Sequence, residues 1–294
     1  MIVTRLKGGL GNQLFQYAAG RRLALAHGAE LYLDISGLAV SVRMPRHYEL
    51  QPLQIKARIA DERILDLVSG SRRKGLADRI IRMFQSLTPP GCIREFRERH
   101  FHFDPEVLAL PDNTFLSGYW QSERYFSDVA DTIRNECTVT TEPSGKNLDM
   151  LNRISACTAV SVHVRRGDYV TDPAVLAMHG ICDLEYYERA VRYISERITA
   201  PEFFVFSDEV DWVRDNLKFP FPYTMVDHNN AQHCAEDLRL MSACRHHITA
   251  NSTFSWWGAW LNPRTDKIVV APQRWFNKHD VDTRDLCPAE WVRM

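Results

Sequence analysis

"SVHVRRGDYV", residues 161–170, sets an apolar alternation against a burst of charge. Val160, Val162 and Val164 alternate with Ser161 and His163, a period of two carried by β-branched residues, so the run reads as a strand. Arg165-Arg166-Gly167-Asp168 follows, four residues that do not belong inside a sheet. A strand ending in paired charge and a glycine delivers those groups to a loop, and in α/β folds ligands sit beyond the carboxyl ends of the strands. Two guanidinium forks there suit a diphosphate or a carboxylate. Adjacent strand residues point to opposite faces, so one arginine is expected at a ligand and the other on Asp168 or a domain interface. The plain alternative is a surface ion-pair cluster. The chain forms such clusters easily, because only 7 of its 36 basic residues are lysine.

Around this stretch strands and helices alternate. "TAVSVHV", "EFFVFS", "YTMVD", "HHITA" and "KIVVA" read as strands, and "DLEYYERAVRYISERI", "DWVRDNL", "CAEDLRLMSAC" and "STFSWWGAWL" as helices. That alternation implies parallel βαβ units. The start of the chain repeats the theme: strand "IVTRL", glycine-rich turn "KGGLGNQ", helix "LFQYAAGRRLALAHG" and strand "ELYLDIS". The polar stretch 140–150, with Pro143 and Gly145, is the linker candidate. The expectation is an α/β protein of two Rossmann-like domains, residues 1–145 and 146–294, facing each other across a cleft. Residues 40–112 read poorly, except for an amphipathic helix at 75–87 beside the basic segment 72–82. A solvated face is the first reading of that segment, and weak peripheral membrane contact the minor one.

The 294 residues carry a net charge of -1, which gives no field to draw nucleic acid. Seven scattered cysteines fit a reducing compartment better than a disulfide framework, and no His/Cys cluster has zinc spacing. No apolar run is long enough for a signal peptide core or a membrane span, so a cytoplasmic location is expected.

Four further stretches carry chemistry. In "GGLGNQ", Gly9 and Gly11 let a backbone approach a ligand at a helix N-terminus, and Asp34 lies where a dinucleotide site places its ribose acid. An NAD-dependent oxidoreductase is therefore one reading. Leu14 stands where the third glycine belongs, and Asn12-Gln13 would crowd a pyrophosphate. In "FSDE", Asp208 and Glu209 suit a base edge or ribose hydroxyl, while Ser207 or Asp208 also suits a helix cap. In "ANSTFSWWGAWLN", Asn251, Ser252, Thr253 and Ser255 form a phosphate cradle at a helix start, and Trp256, Trp257 and Trp260 read as core. "SGYWQSERYF", residues 117–126, reads equally as packing or as an acceptor contact.

"GGLGNQLFQYAAG", "GYWQSERYF", "HVRRGDY" and "NSTFSWWGAWL" occur in that order, and together they resemble the bacterial and animal α1,2-fucosyltransferases. The resemblance implies a GT-B enzyme of two Rossmann-like domains, the first on the acceptor side and the second holding the nucleotide. It implies GDP-fucose as donor substrate, no metal or other cofactor, and a galactose-terminated oligosaccharide or lipid-linked glycan as acceptor. Carried over, Arg165 binds the β-phosphate, His163 and an acid of Asp208-Glu209 meet the guanosine, and Thr253 or Ser255 meets the phosphates. Asn12 would approach the leaving group or the fucose. Asp168 is the nearest candidate for a base in an inverting displacement. A non-catalytic carbohydrate-binding relative would keep the fold without turnover.

Overall fold

The structure is a computed structural model that describes residues 1–38, 46–70, 93–217, 219, 221–278 and 280–294, with the backbone alone for residues 69, 70 and 168. The helix read at 75–87 and the basic segment 72–82 lie outside the described residues. The chain divides into two compact units. The N-terminal unit is Met1–Leu50 with Ile55–Ile133, and the C-terminal unit is Gln51–Gln54 with Arg134–Met294.

The sequence boundary at 145/146 is thus displaced. The polar stretch 140–150 is not a linker but the entry into a helix, Gly145–Ser155, whose solvent side supplies the polarity and whose Ile154 is buried. Gln51–Gln54 joins the second unit because Leu53 bridges Val139, Gln54 N donates to Thr138 O, and Thr140 N donates to Pro52 O.

The N-terminal sheet comprises β1 (Ile2–Arg5), β2 (Leu31–Asp34), β3 (Arg58–Ile59), β4 (Arg94–Arg97) and β5 (Thr114–Ser117), all parallel, in the order β3-β2-β1-β5-β4. The first helix, Leu10–His27, packs on β1 through Gly20, where a Cβ would lie 2.1 Å from Thr4 Oγ1. The helix begins at Leu10, so Gly11 and Asn12 belong to its first turn rather than to a loop.

The C-terminal sheet comprises β6 (Thr158–Val164), β7 (Pro201–Ser207), β8 (Tyr223–Val226), β9 (His246–Ile248), β10 (Val269–Ala271) and β11 (Val292–Arg293), all parallel, in the order β11-β10-β9-β6-β7-β8. Its core grows from β6. Val160, Val162 and Val164 pack with Tyr186, Tyr187, Ala190, Val191 and Ile194 of the helix Leu184–Ser195. Each fully buried valine or isoleucine among them contributes about 1.5–3 kcal/mol. The other face of β6 is polar and partly paired: Ser161 Oγ meets His247 Nδ1 at 2.8 Å, and His247 Nε2 meets Asn262 Nδ2 at 2.9 Å. Trp256, Trp257 and Trp260 are buried as the sequence suggested, with Trp256 stacked on Trp260 and donating Nε1–H to Leu286 O.

In both sheets the strand order reverses at one place. In the first, β1, β2 and β3 run one way and β5, β4 the other; in the second, β6, β7, β8 run one way and β9, β10, β11 the other. Ligands of open α/β sheets bind at the carboxyl ends of the strands where such a reversal occurs. The strands flanking the reversals, β1 with β5 and β6 with β9, are followed directly by "KGGLGNQ", "GYWQSERYF", "RRGD" and "ANSTFSWW". The mixed α/β fold with two parallel, Rossmann-like sheets is the one expected.

Candidate functional site

In the C-terminal unit, β6 ends at Val164 and hands over to Arg165. The Arg165 Nη1 lies 2.7 Å from Asp208 Oδ2, with both side chains 25% exposed, and its guanidinium lies 5.4 Å from the Tyr169 ring centre. Arg166 turns elsewhere and stacks on Trp212, 3.6 Å from the ring centre. The two arginines therefore diverge, Arg165 to a carboxylate and Arg166 to an indole. The Asp168 side chain lies outside the described residues.

Asp208 is the organiser of this strand end. Besides Arg165 it accepts from Arg166 N at 3.0 Å. A Cβ on Gly167 would sit 2.4 Å from Asp208 Oδ2, so only glycine lets the carboxylate in. Neither of the cap roles read for "FSDE" is observed. Ser207 Oγ accepts from Glu209 N at 3.0 Å, Asp208 faces the arginines, and Glu209 occupies the N-cap position of Val210–Asn216 without a side-chain cap bond.

His163 is buried inside β6, its Nδ1 has no hydrogen-bond partner, and its ring lies 5.5 Å from that of Phe254. Burial first, then the charge of Arg165, pulls its pKa down to about 3, so the imidazole is neutral at ordinary pH.

The loop after β9 is tied to this place by Tyr169, whose hydroxyl donates to Asn251 O at 3.3 Å. Two members of the expected cradle have structural duties. Asn251 Nδ2 donates to His179 O, Gly180 O and Trp275 O. Ser255 Oγ donates to Ala250 O and Ser252 O. Their side chains hold the loop. Ser252 is the N-cap residue of Thr253–Trp260 and makes no side-chain cap bond. The first N–H groups of a helix have no partner within it, so this terminus offers donors and the positive end of the helix dipole. Thr253 opens that helix.

The N-terminal unit differs at the corresponding place. Leu10 N donates to Glu49 Oε2 at 2.7 Å, so a protein carboxylate already occupies the start of the first helix. Gly9 and Gly11 are thus not an open cradle. Gln13 fixes that carboxylate's loop, donating to Gly8 O and His47 O and accepting from Glu49 N. Asp34 accepts from Arg5 Nε and from Ser36 N and Oγ. With the helix start and the ribose acid both engaged, the NAD-dependent reading loses its two supports. Asn12 Oδ1 accepts from Gln121 Nε2 at 2.9 Å, joining "GGLGNQ" to "GYWQSERYF". Glu49, Glu98, Tyr169 and Trp212 did not stand out in the sequence. Glu49 acts at a point 39 residues earlier in the chain, and no local pattern announces such a contact.

The chain does contain one Asp-x-Asp run, Asp280-Val281-Asp282, which bears on the metal question. Asp282 pairs with Arg284 and accepts from its backbone N–H. Among the described residues no group of three or more His, Cys, Asp or Glu has the arrangement of a metal site. No described helix is long and apolar enough to cross a membrane.

Residues 94–294 match the model of "Glycosyl transferase family 11". An alpha-1,2-colitosyltransferase of Escherichia coli is 34% identical over 100% of this chain and 99% of its own length. The O-antigen biosynthesis glycosyltransferase WbnK of Escherichia coli is 30% identical over 92% of this chain and 93% of its own. Among solved structures, a mutant of Arabidopsis thaliana FUT1 in complex with GDP aligns with 91% of this chain and 69% of its own, with a TM-score of 0.51 at 13% identity, a likeness of fold.

Proposed function

The chain belongs to glycosyl transferase family 11, and from that premise we propose that it transfers L-fucose from GDP-β-L-fucose to the 2-hydroxyl of a terminal galactose. The linkage formed is α-1,2, with inversion and without a metal. The acceptor is an oligosaccharide or a lipid-linked glycan. The observation that carries the reading is the pairing of Arg165, fixed by Asp208, with the uncapped helix start at Ser252, on the two strands where the second sheet reverses.

That pairing suits a departing nucleoside diphosphate. As the bond from fucose C1 to the β-phosphate oxygen breaks, its electron pair leaves with GDP, and negative charge grows on the diphosphate. A guanidinium and a helix N-terminus, both already oriented, stabilise that charge without reorganising. The acceptor oxygen attacks C1 from the opposite face and loses its proton. Asp168 is the base proposed for that proton. Neutral His163 lies beneath the same strand end, and the guanosine is assigned to its side of the site together with Glu209.

The similarity to a colitosyltransferase favours a second donor, because colitose is fucose without the 3-hydroxyl. A site that hydrogen-bonds the 3-hydroxyl rejects the deoxy sugar by about 10⁴-fold. The test offers GDP-fucose and GDP-colitose side by side with a panel of galactosides, and reads GDP release and product linkage by NMR. An α-1,2-fucosylated galactoside is expected. Transfer of colitose alone would replace the donor. Binding of GDP-fucose without turnover on any acceptor would leave a non-catalytic carbohydrate-binding protein.

A further inference from the structure

A transferase needs a second place, for the sugar that receives. At the carboxyl ends of β1, β5 and β4 the N-terminal unit presents an exposed aromatic ring between a cation and a carboxylate. Tyr119, in the loop after β5, is 39% exposed. The Lys7 ammonium, at the end of β1, lies 6.0 Å from its ring centre. Glu98, just after β4, accepts from Tyr119 N at 2.8 Å on one oxygen and from Trp120 N at 2.9 Å on the other.

The loop is held in a costly shape. Trp120 has φ 57, a left-handed conformation for a bulky residue, worth roughly 1–3 kcal/mol of strain. A Cβ on Gly118 would meet Glu98 Cβ at 2.5 Å, so the carboxylate is drawn close beneath the turn. The Lys7 backbone is pinned by Gln16, which accepts from Lys7 N and donates to Lys7 O. Asn12 holds Gln121 on the same loop. A single exposed tyrosine is ordinary. A tyrosine held outward by a strained loop, beside a lysine whose backbone is pinned and a carboxylate bonded to the loop's own N–H groups, at a strand-order reversal, is a built surface.

Its chemistry fits a hydroxylated ring with one apolar face. The axial 4-hydroxyl of galactose leaves the C3, C4 and C5 hydrogens as an apolar patch, which an aromatic ring covers. A carboxylate has about four acceptor sites, and the two backbone N–H groups use two of the Glu98 set. The others can take sugar hydroxyl protons, while the Lys7 ammonium donates to hydroxyl oxygens. Partial burial raises the Glu98 pKa and lowers that of Lys7, which marks a place where water is already scarce.

We propose that the terminal β-galactoside of the acceptor binds here, its apolar face on the Tyr119 ring and its hydroxyls on Glu98 and Lys7. The assignment rests on the galactoside-transfer reading. It is tested with methyl β-D-galactoside as acceptor and with Tyr119→Ala, Tyr119→Trp and Lys7→Gln. Tyr119→Ala should raise the acceptor KM about tenfold, the scale of one aromatic contact. Its kcat at saturation, its GDP-induced melting shift and its GDP-fucose hydrolysis without acceptor should stay within about twofold. Tyr119→Trp should restore KM, and Lys7→Gln should raise it severalfold. An unchanged KM in Tyr119→Ala, with wild type active, overturns the site. So does a fall in kcat and melting shift at constant KM, because the ring then serves the fold. If wild type transfers to no galactoside, the function fails first, and saturation-transfer NMR of the same probe on wild type and Tyr119→Ala decides the site. A signal lost in the variant keeps it, and an equal signal or none removes it.

Discussion

The two sheets reverse their strand order in the same way, yet the helix starts beside the reversals are treated oppositely. At the first, the Glu49 carboxylate takes the Leu10 N–H, and Gln13 fixes the loop that delivers it. At the second, Ser252 makes no side-chain cap bond, and the adjoining strand β6 is followed by the Arg165–Asp208 ion pair. An anion at a helix N-terminus is worth about 0.3–1 kcal/mol, and up to ~2 in partly buried settings. One unit takes that stabilisation from its own chain. The other takes none from the Ser252 side chain, and the proposed diphosphate would supply it. Topology alone therefore does not separate the two helix starts; the Glu49 carboxylate at Leu10 does, and the proposed function follows that difference.

Arg165→Ala should show the largest effect on this contrast. Loss of one donor aimed at developing charge costs about 3–4 kcal/mol, a hundred- to thousandfold in kcat. Arg165→Lys should remain poor, because an ammonium does not reproduce a planar fork. Arg166→Ala should spare the chemistry and loosen the contact with Trp212. Normal turnover of Arg165→Ala beside an inactive but folded Arg166→Ala would swap their roles. Normal turnover of both would move the donor away from this strand end.

Ser252→Asp would make the second helix start resemble the first. An aspartate at the N-cap should bond the helix N–H groups and raise stability by about 1 kcal/mol in a urea melt. It should also repel a diphosphate and weaken GDP binding at least tenfold, read from the GDP-induced melting shift. A full GDP shift in this variant would place the diphosphate elsewhere. The reverse change, Glu49→Ala, should cost about 1 kcal/mol and leave the GDP shift as it was. A gain of GDP binding there would show that the carboxylate only masks a second nucleotide site. The smallest effect is expected from EDTA, which should leave transfer intact. Loss of activity restored by manganese would turn attention to Asp280 and Asp282.

β6 and β7 of the second sheet were legible because each is seven residues long with a buried, mostly apolar run. The β4–β5 half of the first sheet was not. β4 reads Arg-Glu-Phe-Arg with exposed ends, and β5 is four residues without alternation. The positions of Arg165 and of the helix at Thr253 followed from strand ends in the sequence. The duties of Asn251 and Ser255 did not. Both bond backbone carbonyls of their own loop or of nearby loops, and a polar side chain looks the same in sequence whether it faces a ligand or its own chain. The engaged helix start at Leu10 was hidden for a related reason: its partner arrives from a different part of the chain.

The stacking of Arg166 on Trp212 makes the strand end optically addressable. Trp120, Trp256, Trp257, Trp260, Trp275 and Trp291 are all buried, and Trp212 is the one indole left partly open. Its emission should lie furthest to the red, and its quenching by a soluble collisional agent should dominate the accessible signal. Asp208 touches both the Arg165 side chain and the Arg166 backbone, so a ligand that draws Arg165 away shifts the guanidinium lying on that ring. The native protein thus carries its own fluorescent gauge of the Arg165 loop, readable in a cuvette without a label.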